Sequence, residues 1–118
     1  MPDPALISTA GLRLDISTEE ESIVVRCSGT LMYESSDFLK REVRSRIPDK
    51  GRMVLDLSDV SRMDSSGLGA VVACYLSARN RSCDFRLINL NKQIRDLLSL
   101  SNLLSVFEIC GQQSLRMP

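Results

Sequence analysis

Histidine is absent from this 118-residue chain. That gap excludes His-based catalytic triads, histidine metal sites and phosphohistidine relays together. Tryptophan is also missing and aromatics make up only 4%, so a core has to rest on Leu, Ile, Val and Met. Net charge is lacking too: fifteen Lys and Arg balance fifteen Asp and Glu. A surface built to neutralise nucleic-acid phosphates is normally basic, so this balance argues against direct nucleic-acid binding and leaves room only for a local patch. No apolar run approaches the roughly 20 residues that cross a bilayer, which argues against membrane insertion. The start, Met1-Pro2-Asp3-Pro4-Ala5-Leu6-Ile7, has neither the basic region nor the apolar stretch of a secretory signal. A cytoplasmic protein is expected. Cys27, Cys74, Cys83 and Cys110 form no Cys-x-x-Cys pair, and Cys27 and Cys74 lie inside apolar runs. All four read as free thiols acting as small hydrophobes.

What is present suits a single domain. The chain is long enough for one core and too short for two, and at 43% hydrophobic and 25% charged it has an ordinary globular composition. Residues 1–10, with two prolines and small polar side chains, read as a flexible N-terminal arm, leaving 11–118 as the domain. Leu12-Arg13-Leu14-Asp15-Ile16 alternates like a half-buried strand, and Ser22–Cys27 is rich in β-branched residues. Thr18–Glu21 reads as a turn between them. Ser35-Ser36-Asp37 offers N-caps for a helix to about Ile47, with Leu39, Val43 and Ile47 as its buried stripe and Pro48 as its stop. Arg52–Leu57 reads as a central strand. The run from Gly67 to about Ala78 is apolar almost all round, which predicts a helix packed on most sides. Phe85–Ile88 is a strand, and Asn91 can cap a helix bearing Ile94, Leu97 and Leu98 on one face. Asn102 reads as the end of that helix, Ser105–Ile109 as a last strand, and the tail from Gly111 as one helical turn at most. Strand and helix alternate after an early hairpin-like pair, so the expected fold is α/β, a small mixed sheet flanked by helices.

One stretch stands out: Val54-Leu55-Asp56-Leu57-Ser58-Asp59-Val60-Ser61-Arg62-Met63-Asp64-Ser65-Ser66-Gly67-Leu68-Gly69. An apolar strand ends in a polar turn, and two serines stand where an apolar helix begins. A nucleophile elbow needs Gly-x-Ser-x-Gly, but Met63 holds the first glycine's place, and no histidine is available as base. Gly67-x-Gly69 lacks the third glycine of a dinucleotide loop and the lysine of a phosphate loop. Asp56, Asp59 and Asp64 can be imagined around a metal, although carboxylates at this spacing around a turn more often cap or face water. No cofactor is implied. A phosphoacceptor serine has better physics, because a helix N-terminus presents unsatisfied N–H groups and partial positive charge to a phosphoserine dianion. Plain helix capping by Ser65 and Ser66 explains the same residues. The residues alone leave the two readings open.

Asp64-Ser65-Ser66-Gly67-Leu68-Gly69, preceded by Val54–Val60, resembles the signature of STAS domains, specifically of bacterial anti-sigma factor antagonists. Ser28-Gly29-Thr30-Leu31 is similar to the family's Gly-x-Leu turn. Asn91–Leu98, with Leu103 and Val106-Phe107, resembles its third helix and last strand. The resemblance implies that Ser65 is phosphorylated by a partner that is both anti-sigma factor and serine kinase. The unphosphorylated form would bind that partner and free the sigma factor, and a metal-dependent serine phosphatase would reset the switch. It implies a non-enzymatic protein whose partner surface includes Met32, Asp64, Ser65, Ser66, Gly67 and Leu68, with Ser66 as helix cap and Asp64 shaping the turn. The chain departs from the family where Glu-Leu-Asp often follows the glycine; here the residues are Thr30-Leu31-Met32. Met32 favours the alternative of a non-switching STAS subunit that scaffolds or regulates a larger complex, such as a lipid-transport ATPase or a sensory signalling particle. A third reading, a small hydrolase using the carboxylates, is disfavoured by the missing histidine.

Overall fold

The structure, a computed structural model, describes residues 6–100 in full and the backbone of 5, 108–109 and 114–116. It contains the expected α/β architecture: one mixed sheet with three helices. The strands are β1 (Ala5–Thr9), β2 (Leu12–Glu19), β3 (Ser22–Leu31), β4 (Arg52–Met63), β5 (Asp84–Ile88), β6 (Glu108–Ile109) and β7 (Ser114–Arg116), and the helices are α1 (Tyr33–Arg44), α2 (Ser65–Asn80) and α3 (Lys92–Leu100). Among the described residues the sheet order is β1-β2-β3-β4-β5-β7-β6. Only β3–β4 and β4–β5 are parallel, and their crossovers are α1 and α2, as the strand–helix alternation predicts.

Several expectations need correction. Part of the expected loose arm is a strand: β1 pairs antiparallel with β2. The tight link is Ala10-Gly11, both at positive φ (50° and 83°), the sign pattern of a type I′ hairpin turn. A strand edge needs only a backbone ladder, so the weak side-chain pattern of residues 1–10 concealed it. The turn expected over Thr18–Glu21 shrinks to Glu20-Glu21, with Glu20 at φ 55°. β3 extends past the expected Ser22–Cys27 and runs through to Leu31 with register shifts. Gly29, at φ 104°, makes that continuation possible: a Cβ there would lie 2.1 Å from the Gly11 carbonyl oxygen, and Thr30 N donates to that same oxygen at 3.0 Å. The tail also differs. Ser114–Arg116, expected as at most a helical turn, is a strand inserted antiparallel between β5 and β6. Asn102, residues 105–107 and Cys110 lie outside the described residues.

The core lies on one face of the sheet. Leu14, Cys27, Val25, Leu55, Met53, Phe85 and Leu87 alternate inward from four strands and are all buried, the period-2 pattern of a half-buried sheet. α1 and α2 pack on each other and on this face, bringing Leu39, Val43, Val71, Cys74 and Ala78 to it. Burial pushes the Cys74 thiol up to about 12 and raises those of Cys27 and Cys83 as well, so the three described thiols are inert neutral groups at ordinary pH. Among the described residues no helix is long and apolar enough to cross a membrane.

The opposite face carries charge. Asp56, on central β4, is only 4% exposed, yet its carboxylate accepts from Ser58 N (2.9 Å), Asn89 Nδ2 (3.1 Å) and Arg26 Nε (3.4 Å). Asn91 makes a second clamp onto β4, donating to the Val60 carbonyl at 2.7 Å while accepting from Ile94 N at 2.9 Å as the cap of α3. Desolvation raises the Asp56 pKa, but the hydrogen bonds from Ser58 and Asn89 and the charge of Arg26 outweigh it and hold the carboxyl below its ordinary value.

A folded-state pKa below the unfolded one stabilises the fold above about pH 4 and loses that contribution as pH falls through the folded value. Asp56→Asn is therefore expected to cost about 1–2 kcal/mol at pH 7, a difference that narrows between pH 4 and pH 2 in urea titrations. A gap that stays constant over that range would show that the carboxyl is not depressed.

Candidate functional site

The turn after β4 is shorter than its polar sequence implies. β4 continues through Ser58–Met63, and a single extended residue, Asp64, separates it from α2. Because Leu31 and Met63 are register partners at the ends of parallel strands, the chain leaves β3 and β4 side by side. α1 and α2 therefore start next to each other, and Asp64 N donates to the Leu31 carbonyl at 3.4 Å.

Asp64, not a serine, is the N-cap of α2. Its Oδ1 accepts from Gly67 N at 2.9 Å, and its backbone carbonyl accepts from Leu68 N at 3.0 Å. Its other oxygen reaches across: Oδ2 accepts from Tyr33 N, the first residue of α1, at 3.1 Å. One carboxylate thus satisfies a donor at the start of each of two helices, whose partial positive charges both favour it. The expectation that Ser66 caps the helix is corrected on this geometry, since the acceptor must come from the extended residue before the first turn.

α1 also begins earlier than its serines suggest. Met32 is its N-cap position, extended at φ −132° and ψ −171°, and contributes no capping side chain. Ser35, in the helix's first turn and fully buried, compensates from within: its Oγ accepts from Met32 N at 3.1 Å and donates toward the Thr30 carbonyl at 3.1 Å. Hence Ser35 and Ser36 are interior residues of the first turn, and the start of α1 is held without a polar side chain at position 32: Ser35 Oγ accepts from Met32 N, Asp64 from Tyr33 N, and the Met32 carbonyl from Ser35 N.

The structure brings the six sequence-derived positions to one place but exposes them unequally. Ser65, the first helical residue, is exposed; Ser66, Asp64 and Met32 are half-buried; Gly67 and Leu68 are buried. Among the described residues the Ser65 hydroxyl makes no hydrogen bond, and the N–H groups of Ser65 and Ser66 precede the first intrahelical bond, which is made by Leu68. An accessible hydroxyl thus stands beside two uncommitted donors. Gly67 is held by contact, because a Cβ there would lie 2.0 Å from the Leu31 carbonyl oxygen. Gly69 is exposed and a Cβ there would touch nothing within 4 Å.

Sequence reasoning missed Tyr33 and Glu34, both exposed beside the turn. Placing the helix start at Ser35 left them in a loop; the available signal was their position directly after the Gly-x-Leu turn. The imagined metal cluster does not assemble: Asp56 is committed to the sheet and Asp64 to the two helices, and no group of three metal-ligating side chains occurs among the described residues. An open groove of about 430 Å³ flanks the site between Met63 and α3, lined by Lys92, Gln93, Asp96, Leu97 and Leu100. A larger concavity of about 590 Å³ lies at the other end of the parallel strands, where Ser22, Arg52 and Asp84 begin them, and is lined by residues of both charges.

The STAS domain model matches residues 13–113. The anti-sigma F factor antagonist of Paenibacillus polymyxa is 26% identical over 100 residues, covering 83% of this chain and 86% of that one. In structure, an anti-sigma factor antagonist from Mycobacterium paratuberculosis superposes with a TM-score of 0.73 at 20% identity, covering 86% of each chain. The phosphorylated form of the Bacillus cell fate determinant SpoIIAA superposes with a TM-score of 0.62 at 20% identity over 76% of this chain and 84% of that one.

The two glycines of the motif separate fit from tolerance. Gly67→Ala is expected to destabilise by about 1–3 kcal/mol or more, as overpacking against fixed backbone does. Gly69→Ala is expected to stabilise by about 0.5–1 kcal/mol, because a helix-interior glycine gives way to alanine in open space. Urea midpoints of the two variants check this; equal effects would contradict the packing described.

Proposed function

We propose that this chain, which belongs to the STAS domain family, is an anti-sigma factor antagonist whose activity is set by phosphorylation of Ser65. Its partner is an anti-sigma factor with serine kinase activity. The unphosphorylated chain binds that factor and so regulates sigma-factor-dependent transcription; phosphorylation at Ser65 ends binding, and a metal-dependent serine phosphatase restores it. The protein acts by binding rather than by catalysis.

The observation that carries this reading is the exposed Ser65 hydroxyl at the first position of α2. A phosphoryl group there adds about −1.5 to −2 charges and three acceptor oxygens. It meets the uncommitted N–H groups of Ser65 and Ser66, which favour it, and the Asp64 carboxylate, which repels it. The modification therefore changes the charge and shape of the surface with no buried contact to break. Asp64, Ser66 and Met32 edge that surface, and Gly67 and Leu68 support it from beneath. The names of the relatives point to the same role.

Met32 sustains one second reading, a constitutive STAS subunit that scaffolds or regulates a larger complex. Its weight is reduced by the cap geometry, since Asp64 and Ser35 serve the start of α1 without an acid at position 32.

Affinity capture with wild type, Ser65→Ala and Ser65→Asp, read by mass spectrometry, separates the two. The antagonist reading expects an anti-sigma kinase retained by wild type and Ser65→Ala and reduced at least tenfold on Ser65→Asp. Equal retention of a transporter ATPase or scaffold by all three would establish the second reading instead.

A further inference from the structure

Four large apolar side chains among the described residues stand open to solvent: Leu6, Tyr33, Leu76 and Leu100. Leu6 is on edge strand β1, Leu76 lies three turns along α2, and Leu100 ends α3. Leu100 also lines the groove that flanks the site, but among these four Tyr33 is the one hydrogen-bonded to the serine turn. The residue is 73% exposed, and its backbone N–H is held by Asp64 Oδ2 while Oδ1 of the same carboxylate holds α2 through Gly67.

Stability does not account for a tyrosine here. The side chain neither caps nor packs, and tyrosine is a poorer helix former than alanine. An exposed, rigid aromatic with a polar tip is instead the residue type enriched at the energetic centres of protein interfaces. Tyr33 and Ser65 are the first residues of their helices, both exposed, and a single carboxylate fixes the spacing between those helix starts. The charge next to Tyr33 is acidic: Glu34 is exposed on the first turn of α1 and Asp64 lies between the helices, while Asp37, one turn on, is paired with Lys40 at 3.0 Å. A complementary face is therefore apolar at its centre and basic at its rim.

We propose that Tyr33 is a specificity-determining contact for the anti-sigma kinase, seated in an apolar pocket with a basic rim. Asp64 is the positioning residue that sets the distance from that anchor to Ser65. This rests on the antagonist reading above and adds to it a second contact, on α1, that phosphorylation does not touch. The kinase recognises the substrate by the Tyr33–Ser65 pair rather than by the serine turn alone.

The test uses the full chain and the purified serine-kinase anti-sigma factor of the same organism, with affinity measured by calorimetry. Tyr33→Ala is expected to weaken binding at least tenfold with an unchanged urea midpoint, and Tyr33→Phe to remain within threefold of wild type. Asp64→Asn keeps one acceptor oxygen for Gly67 N, so the fold survives while Tyr33 N loses its partner; its amide exchange should accelerate while that of Gly67 stays protected. In the double variant the two losses should not add, because Asp64 acts through Tyr33. Undiminished binding by Tyr33→Ala overturns the proposal while leaving the antagonist reading standing. Fully additive losses overturn the positioning role. A wild type that does not bind the kinase overturns the antagonist reading, and this proposal with it.

Discussion

Everything at the functional end of this domain depends on where the Asp64 carboxylate sits. Two parallel strands end as register neighbours, at Leu31 and Met63, and each is followed within two residues by a helix. Two helix N-termini placed side by side repel one another through their partial positive charges and leave backbone donors without acceptors. A single anion between them answers both problems, with one oxygen for Tyr33 N and one for Gly67 N. The close approach also dictates Gly67, since the start of α2 lies against the Leu31 carbonyl with no room for a Cβ.

The sheet supplies the rigidity that makes this placement reproducible. Asp56 and Asn89, together with Asn91 and Val60, tie the segment after β5 to the central strand from two points. Gly29 lets β3 run past its bulge to Leu31 instead of stopping at the Gly11 hairpin. Without that continuation Leu31 would not reach the level of Met63, and α1 would start elsewhere. The polar residues that matter most to the site are therefore structural, and the residue that faces solvent, Ser65, carries no structural duty.

That division suits a switch. A modified side chain that also capped or packed would change the fold's stability along with its surface. Capping by Asp64 frees Ser65 from this constraint, so charge can be added at position 65 while both helix starts remain held. The start of α1 is likewise held with Met32 at its cap position, through Ser35 on Met32 N and Asp64 on Tyr33 N.

Much of this was legible in the amino-acid sequence, because hydrophobic periodicity reports burial directly. The core positions of β2, β4 and β5, Leu39 and Val43 on α1, the cap at Asn91 and the α/β alternation all follow from local pattern, whereas α1 ends at Arg44 and leaves the buried Ile47 beyond it. The serine turn also stood out, and with it the family. What local pattern does not report is which acceptor reaches which donor across the sheet. Ser65, Ser66 and Asp64 are all good caps by type, and only the extended backbone at Asp64 assigns the role. Ser35 and Ser36 look like caps and are interior residues of the first turn, because α1 begins where β3 ends beside β4. β1 and β7 escaped notice since a strand at or near an edge is held by backbone pairing, which side chains mark weakly. The sequence by itself determined the fold class, much of the core and the location of the proposed switch. Only the tertiary structure decided that one carboxylate joins two helices and places Tyr33 beside Ser65, because that contact spans 31 residues and depends on strand register.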